Sequence, residues 1–436
     1  VQYRPPAGGW ADALINEPIA AGAGLRTASD TEAELRTPGA RVALAPTSEL
    51  RVVQLDRDTI EIALTSGRIG IHLADKASPK SVEVDLPQGG VWLAAPGNYD
   101  LAAGDAQTPM QTQVFSGKAE FGGGLDDGHK VAAAPDWFSD WWRSQDDNAD
   151  LTDPRPWPGI SGITALGDAG HWELDRKLGN VWYPSDVATD WTPYRDGVWR
   201  YLAPWGWTWI DAVPWGFATS HYGRWARIDD RWGWIPGDGL DKAEYSPAVV
   251  AFLGTAGIGL SRPGDIGAMS AVAWFPLAPG EAIGDGTDAN YQNRRFATAV
   301  PRAAFAAGLP VANALVDDVP VQRFVDAPVI LQALGIPPAS PPGSSIVATA
   351  PKKPEPVVAA APAVAAAVPA ANAPVSPDER QGYVVALRDI PVRTPPRDIR
   401  KRVRVASIIV LRTRHLASAL HSPHNRQHLA AARGGA

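Results

Sequence analysis

The side chains with most chemistry to offer crowd into one short stretch. Eleven of the 18 Trp residues lie between Trp172 and Trp234. Written as an extended strand, Trp205, Trp207 and Trp209 point to one face, and Gly206, Thr208 and Ile210 to the other. Three indoles in a row make a flat apolar ribbon edged with N–H donors, on which sugar rings, aromatic side chains or Pro-rich peptides stack. Trp215, Trp225, Trp232 and Trp234 continue this chemistry, with His221 and Arg224 among them. The competing account makes the indoles the core of a small β-domain poor in Leu and Ile. Gly beside Trp favours the core, because a missing Cβ lets an indole lie over the backbone. The accounts are compatible: some indoles can be core while others stay outside.

Bond-making chemistry finds less support. Ser220 precedes His221, and Asp211 or Asp229 could complete a triad. No Gly-x-Ser-x-Gly elbow surrounds a Ser, however, and neighbours in an extended chain point oppositely. His221 is expected to hydrogen-bond within its turn, and Arg224 to stack on an indole. The carboxylate pairs Asp126-Asp127, Asp146-Asp147 and Asp229-Asp230 are adjacent in sequence, whereas a glycosidase needs two held across a cleft. Gly254-Thr-Ala-Gly-Ile-Gly259 is a loose Gly-rich run, but Leu260-Ser-Arg-Pro-Gly264 follows it with turn residues where a phosphate site needs a helix. His421, His424 and His428 have helical spacing broken by Pro423, and no Cys or carboxylate completes a metal site. No catalytic residue, cofactor or metal is expected.

Composition agrees with a β-protein built for contact. With 45% hydrophobic and 20% charged residues the chain is an ordinary soluble globular type, and 42 Gly and 41 Pro favour turns and linkers over long helices. The absence of Cys rules out a disulfide framework and suits an oxidising envelope space. No run of about 18 apolar residues exists to span a membrane as a helix. The chain opens at Val1, read as a processed or trimmed N-terminus. Net charge is −7, unevenly placed: Glu379–Ala436 carries 12 Arg and Lys against 3 Asp and Glu. The Trp-rich stretch has no basic groove of the kind nucleic acid demands.

The elements that must position these residues are strands. Leu50–Leu55, Thr59–Leu64, Arg68–Leu73 and Ser81–Leu86 follow one another, and Ile60, Ile62 and Leu64 alternate with Glu61 and Ala63. Turn signals such as Ser66-Gly67, Gly89-Gly90 and Pro96-Gly97 separate the runs. Trp137, Phe138, Trp141 and Trp142 fall at helical spacing after Pro135-Asp136, predicting a short helix with its aromatic side on a neighbouring domain. In the Trp-rich stretch, Trp205-Gly-Trp207 and Trp232-Gly-Trp234 echo each other, suggesting a meander of hairpins. The fold class is therefore all-β. We divide it into a first β domain (1–130), a short helix and Pro-rich linker (131–158), a Trp-rich β domain (159–300), an irregular extension (301–336), a Pro/Ala-rich disordered linker (337–378) and a basic tail (379–436). The tail holds one apolar patch, Val405–Leu411.

Two stretches carry a resemblance. Trp10-x-x-Ala13-x-x-Asn16-x-Pro18, Gly24-x-x-Thr27, Ala33-Glu-Leu35 and Ile62-x-Leu64-x-x-Gly67 resemble a FecR-type domain of secreted bacterial proteins. Gly179-Asn-Val-Trp-Tyr-Pro184, Pro204-Trp-Gly-Trp-Thr-Trp209, Pro214-Trp-Gly-Phe217, His221-Tyr-Gly-Arg-Trp225, Trp232-Gly-Trp-Ile-Pro-Gly237 and Val272-Ala-Trp-Phe-Pro-Leu277 resemble a companion domain of unknown function. The similarity lapses after Gly280. The resemblance implies an exported or periplasmic, β-rich protein with no known catalytic residues. The leading expectation is a non-enzymatic scaffold that contacts another envelope protein through β-domain surfaces. A carbohydrate- or peptidoglycan-binding module and a FecR-type signal relay are the alternatives. Oligomeric state is left open.

Overall fold

The computed structural model describes residues 1–56, 58–74, 81–121, 136–152, 159–167, 169–237, 243–253, 259–260, 269–281, 290–316, short pieces between 319 and 330, and 406–412. The sequence readings at Asp126-Asp127, in the Gly-rich run 254–258, over 337–378, and at His421, His424 and His428 lie outside them, as do the side chains of Asp146 and Asp147.

The first section is two sheets over one core. An eight-stranded sheet runs in the order Ala119–Phe121, Gly89–Leu93, Ser81–Leu86, Thr59–Ser66, Glu49–Leu55, Gly24–Arg26, Gln2–Arg4, Ala11–Asp12. A seven-stranded sheet runs Gln111–Val114, Gly97–Ala102, Arg68–Leu73, Ala40–Leu44, Thr31–Thr37, Ala406–Arg412, Pro18–Ile19. The alternation seen in sequence sets what lies between them. Ile60, Ile62 and Leu64 from one sheet and Leu35, Val42, Ile69 and Ile71 from the other are buried in a single cluster. Each such side chain contributes about 1.5–3 kcal/mol of burial, enough in sum to define which face of every strand turns inward.

The predicted helix forms over Trp137–Thr152. Asp136 caps it: the Ser139 amide donates to Asp136 Oδ1 at 2.9 Å, and the Asp136 amide donates to Ser139 Oγ at 3.0 Å. Its aromatic side meets the first section's own sheet. Phe138 and Trp142 pack with Ala43 and Ala45, and a Cβ on Gly70 would fall within the Trp142 ring. Arg41 donates to the Trp142 carbonyl at 2.8 Å, and Arg68 binds both oxygens of Asp100 at 2.5 and 2.9 Å.

The Trp-rich section is built from small sheets. Gly170–Asp175, Gly179–Pro184, Arg231–Ile235 and Arg224–Ile228 make one; Gly197–Leu202 and Gly206–Asp211 form a hairpin. A third sheet carries Met269–Pro276 between Val250–Leu253 and Thr298–Pro301, and Val250–Leu253 also pairs with Val329–Ile330. The extension read as irregular is partly core: Phe305, Val311, Val319, Phe324 and Ala327 join the Trp cluster.

Candidate functional site

Most of the indoles point inward. Trp209, Trp215, Trp225, Trp232 and Trp234 are all buried in one cluster with Trp182, Trp199 and Trp274. Trp199 sits at its centre, with ring centroids 5.5 Å from Trp209, 5.4 Å from Trp274 and 5.1 Å from Phe252. The Trp209 and Trp274 pairs are edge-to-face, and each adds about 0.5–1.5 kcal/mol beyond burial. Several of the indole N–H groups are satisfied inside: Trp209 donates to Asp211 Oδ2 at 2.9 Å, Trp225 to the Thr219 carbonyl at 3.0 Å and Trp234 to the Tyr222 carbonyl at 2.9 Å, whereas those of Trp199 and Trp232 are buried without an acceptor among the described residues. Glycine makes the room. A Cβ on Gly197 would approach the Trp209 ring to 2.6 Å, and one on Gly223 would reach Trp234 Nε1 at 2.8 Å.

This corrects the ribbon expected at Trp205, Trp207 and Trp209. The strand begins at Gly206, so Trp205 falls in the preceding turn, where it packs against Tyr245 at 5.2 Å. Trp209 has no exposed surface, and Trp215, Trp225, Trp232 and Trp234 are likewise closed to a ligand from solvent. Trp205 and Trp207 stay half-buried.

Among the described residues of this section Leu174 is 80% exposed on the strand Gly170–Asp175, and another part of the exposed apolar surface forms a lip on the hairpin. Trp199 pairs across the ladder with Trp209, and two residues on Tyr201 pairs with Trp207. The first pair lies in the core; the second carries the same face out of it. Tyr201 is 54% exposed, its ring 5.8 Å from Trp207, which in turn rests on Phe305 at 4.5 Å. Leu309, 51% exposed, follows the turn at Gly308, whose would-be Cβ approaches the Trp199 carbonyl at 3.2 Å. Neither Tyr201 nor Leu309 stood out in the sequence. The signal for Tyr201 was its place two residues after Trp199, on the same strand face.

The Ser, His and Asp do not assemble. Gly216–His221 is a short helix, not an extended segment. Ser220 Oγ donates to Asp211 Oδ2 at 3.1 Å, while His221 Nδ1 lies 2.8 Å from the Ser246 carbonyl, on a different element. No imidazole stands between serine and carboxylate, which a triad requires. Burial pushes Asp211 up to about 6 and His221 down to about 4, so the imidazole is neutral across the physiological range. His221 thus bonds across to residue 246 and not within its own turn; Arg224 donates to the neighbouring Gly223 carbonyl at 2.8 Å. Arg227, which sequence reading passed over, lies over Trp232 and Phe296 at 5.7 and 5.4 Å. Asp229 and Asp230 form an exposed turn with left-handed φ of 46° and 61°.

The other face of the hairpin meets the first section. Arg200 Nη1 donates to buried Glu17 Oε1 at 2.9 Å. Beside it the Asn16 amide donates to the carbonyls of Asp211 at 3.0 Å and Val213 at 2.6 Å. Asn16 sits at φ 61°, a conformation Asn tolerates better than other side chains, and this aims its amide across the junction. A cavity of about 280 Å³ lies elsewhere, with Arg195, Arg295, Asp190 and Thr192 among its polar lining and Phe296 and Leu315 among its apolar walls.

Residues 163–281 match a family of unknown function, DUF6600. The matched segment begins at the turn Ile163–Leu166 and contains the whole Trp172–Trp234 cluster, the hairpin and Trp274. It stops short of Thr298–Pro301, Phe305 and Leu309, so this chain completes the family segment's core and lip with residues beyond it. No FecR-type family model matches the first section. No curated protein and no solved structure matches the chain.

Proposed function

We propose that this protein is a non-enzymatic scaffold of the bacterial envelope that contacts another envelope protein through its β-domain surfaces. The observation that carries the reading is the Tyr201–Trp207–Leu309 lip. Tyr201 is exposed on the hairpin beside half-buried Trp207, and Leu309 is exposed next to Gly308, at the margin of a core that buries eight of the indoles. Aromatic anchors on rigid strands are the usual centres of protein interfaces. Two buried ionisable groups of the Trp-rich section support contact over turnover: Asp211 and His221 hold structure from inside, each on its own partners. We place the protein in the periplasm or outside the cell, on the FecR-type likeness of its first section and its lack of cysteine. Among the described residues no helix is long and apolar enough to cross a membrane.

One observation favours a second reading. Tyr201 presents an open ring beside a half-buried indole, and such a pair can stack a sugar of a cell-wall glycan. A single pair of assays separates the two. Immobilised protein is incubated with envelope extract, and free protein is sedimented with purified peptidoglycan. Tyr201→Ala and Leu309→Ser leave the core intact. For protein contact, each reduces capture of the same partner band by about tenfold or more, on the order of 1.4–2 kcal/mol for a hot-spot residue, with no effect on sedimentation. For glycan binding, Tyr201→Ala abolishes sedimentation. Retention of both by the double variant would sink the lip as a binding site.

A further inference from the structure

One strand of the seven-stranded sheet comes from the far end of the chain. Ala406–Arg412 lies between Thr31–Thr37 and Pro18–Ile19 and runs antiparallel to both. On one side Ser407 faces Arg36, Ile409 faces Glu34 and Arg412 faces Thr31; on the other Ala406 faces Ile19 and Ser407 faces Pro18. Residues 331–405 separate this strand from Val329–Ile330, the strand before it.

The first section therefore contains a slot. Thr31–Thr37 already pairs with Ala40–Leu44 on its other side, and the core residues of both belong to the first section's own cluster. Its second side presents a row of amides and carbonyls that register six residues of Ala406–Arg412. Left open, a seven-residue edge of this kind invites pairing with another strand, and Ala406–Arg412 occupies it here. The occupant reads Ala-Ser-Ile-Ile-Val-Leu-Arg, rich in β-branched residues and free of Gly and Pro. The slot recognises a backbone ladder and this sequence; both are identical in every copy of the chain.

We propose that the slot is a docking site for residues 406–412 of a second copy, and that reciprocal exchange of this strand gives a twofold dimer. Exchange keeps each inter-strand pairing of the monomer and changes only which chain supplies the strand, which makes it a low-cost route to a self-complementary pair. The chemistry is that of strand addition, with main-chain hydrogen bonds giving affinity and the side-chain pattern giving register.

The absence of cysteine makes the test clean. Full-length chains carry Arg36→Cys or Ser407→Cys, residues that face each other across the ladder. The double variant in one chain reports the strand in cis. The two single variants, co-refolded from denaturant and oxidised, report it in trans as a disulfide-linked pair on a non-reducing gel. Arg36→Cys mixed with exposed Lys177→Cys measures random collision. The expected result is a cis cross-link in the double variant and a trans product well above the collision control. The trans product should rise about tenfold for a tenfold rise in protein concentration. Thr31→Cys with Arg412→Cys, also facing, repeats the measurement should the first pair disturb folding. Trans product at the collision level in both pairs overturns the proposal, whether or not the cis cross-link forms.

Discussion

At the scale of single residues, this protein stabilises indoles by leaving atoms out. Gly223 combines φ +61° with a would-be Cβ that meets the Ile235 carbonyl and Trp234, whereas Gly179, at φ +74°, has nothing within 4 Å. The contrast separates backbone strain from packing. Gly179→Ala should cost about 1 kcal/mol, for the left-handed conformation alone. Gly223→Ala should cost on the order of 3 kcal/mol, because overpacking adds to strain. Denaturant unfolding followed by Trp fluorescence measures both, and equal costs would remove the packing argument. A second prediction concerns the two buried ionisable groups. Asp211, raised to about 6, favours the folded state below the ordinary carboxylate range and loses that advantage as pH rises through 6. His221, lowered to about 4, favours the folded state above its ordinary value and loses that advantage as pH falls toward 4. The two oppose each other between pH 4 and 6, each worth about 3 kcal/mol at most. Asp211→Asn should therefore become more destabilising, relative to the parent, as pH falls from 7 to 4, and His221→Asn less so. Parallel stability–pH curves for parent and variants would refute the assignment.

At the scale of elements, the strands were legible because one face of each is buried. Ile60, Ile62 and Leu64 announce an inward face by their spacing alone, and the capped aromatic helix at Trp137 follows from Asp136 and a helical period. Two features were not legible. The helix Gly216–His221 is six residues long, starts at Gly and has no side-chain cap, so local propensity argues against it. It forms because tertiary contacts hold it: Ser220 on Asp211, and the Ser246 and Val249 amides on its carbonyls. The strand Ala406–Arg412 was visible as an apolar patch, but pairing across residues 331–405 is a non-local event that no local pattern encodes. The candidate site was half legible for the same reason. Composition located the aromatic cluster, whereas which of its rings are covered depends on Phe305, supplied by a later segment. The junction element offers a test. Asn16→Gly keeps the left-handed turn and removes both amide bonds to Asp211 and Val213, which should cost about 1–3 kcal/mol. Asn16→Ala adds backbone strain of about 1 kcal/mol. Should both variants match the parent in thermal unfolding, Asn16 is not the latch between hairpin and first section.

At the scale of the whole molecule, the question is whether first and Trp-rich sections unfold as one, and Glu17 decides it. Its carboxyl is buried and pushed up by burial, with Arg200 the chief opposing influence. A buried carboxylate that loses its cation is left uncompensated, and breaking such a pair costs about 3–5 kcal/mol where both partners are well buried. Arg200 is one-third exposed, so the lower end applies here. Arg200→Met should thus destabilise strongly at neutral pH. The sign of its pH dependence follows: a protonated Glu17 needs no cation, so the deficit shrinks as pH falls through the raised carboxyl value. The reporters are unevenly placed, which makes coupling measurable. Twelve of the 18 Trp lie from Trp172 onward, so fluorescence follows chiefly the Trp-rich section while far-UV circular dichroism follows the strands of both. In the parent the two transitions should coincide, as a shared cooperative unit requires. In Arg200→Met at pH 7 they should separate, and at pH 4 draw together again. Coincident transitions in the variant at neutral pH would mean that the ion pair does not couple the sections, and that the Asn16 amide or apolar contact alone holds them.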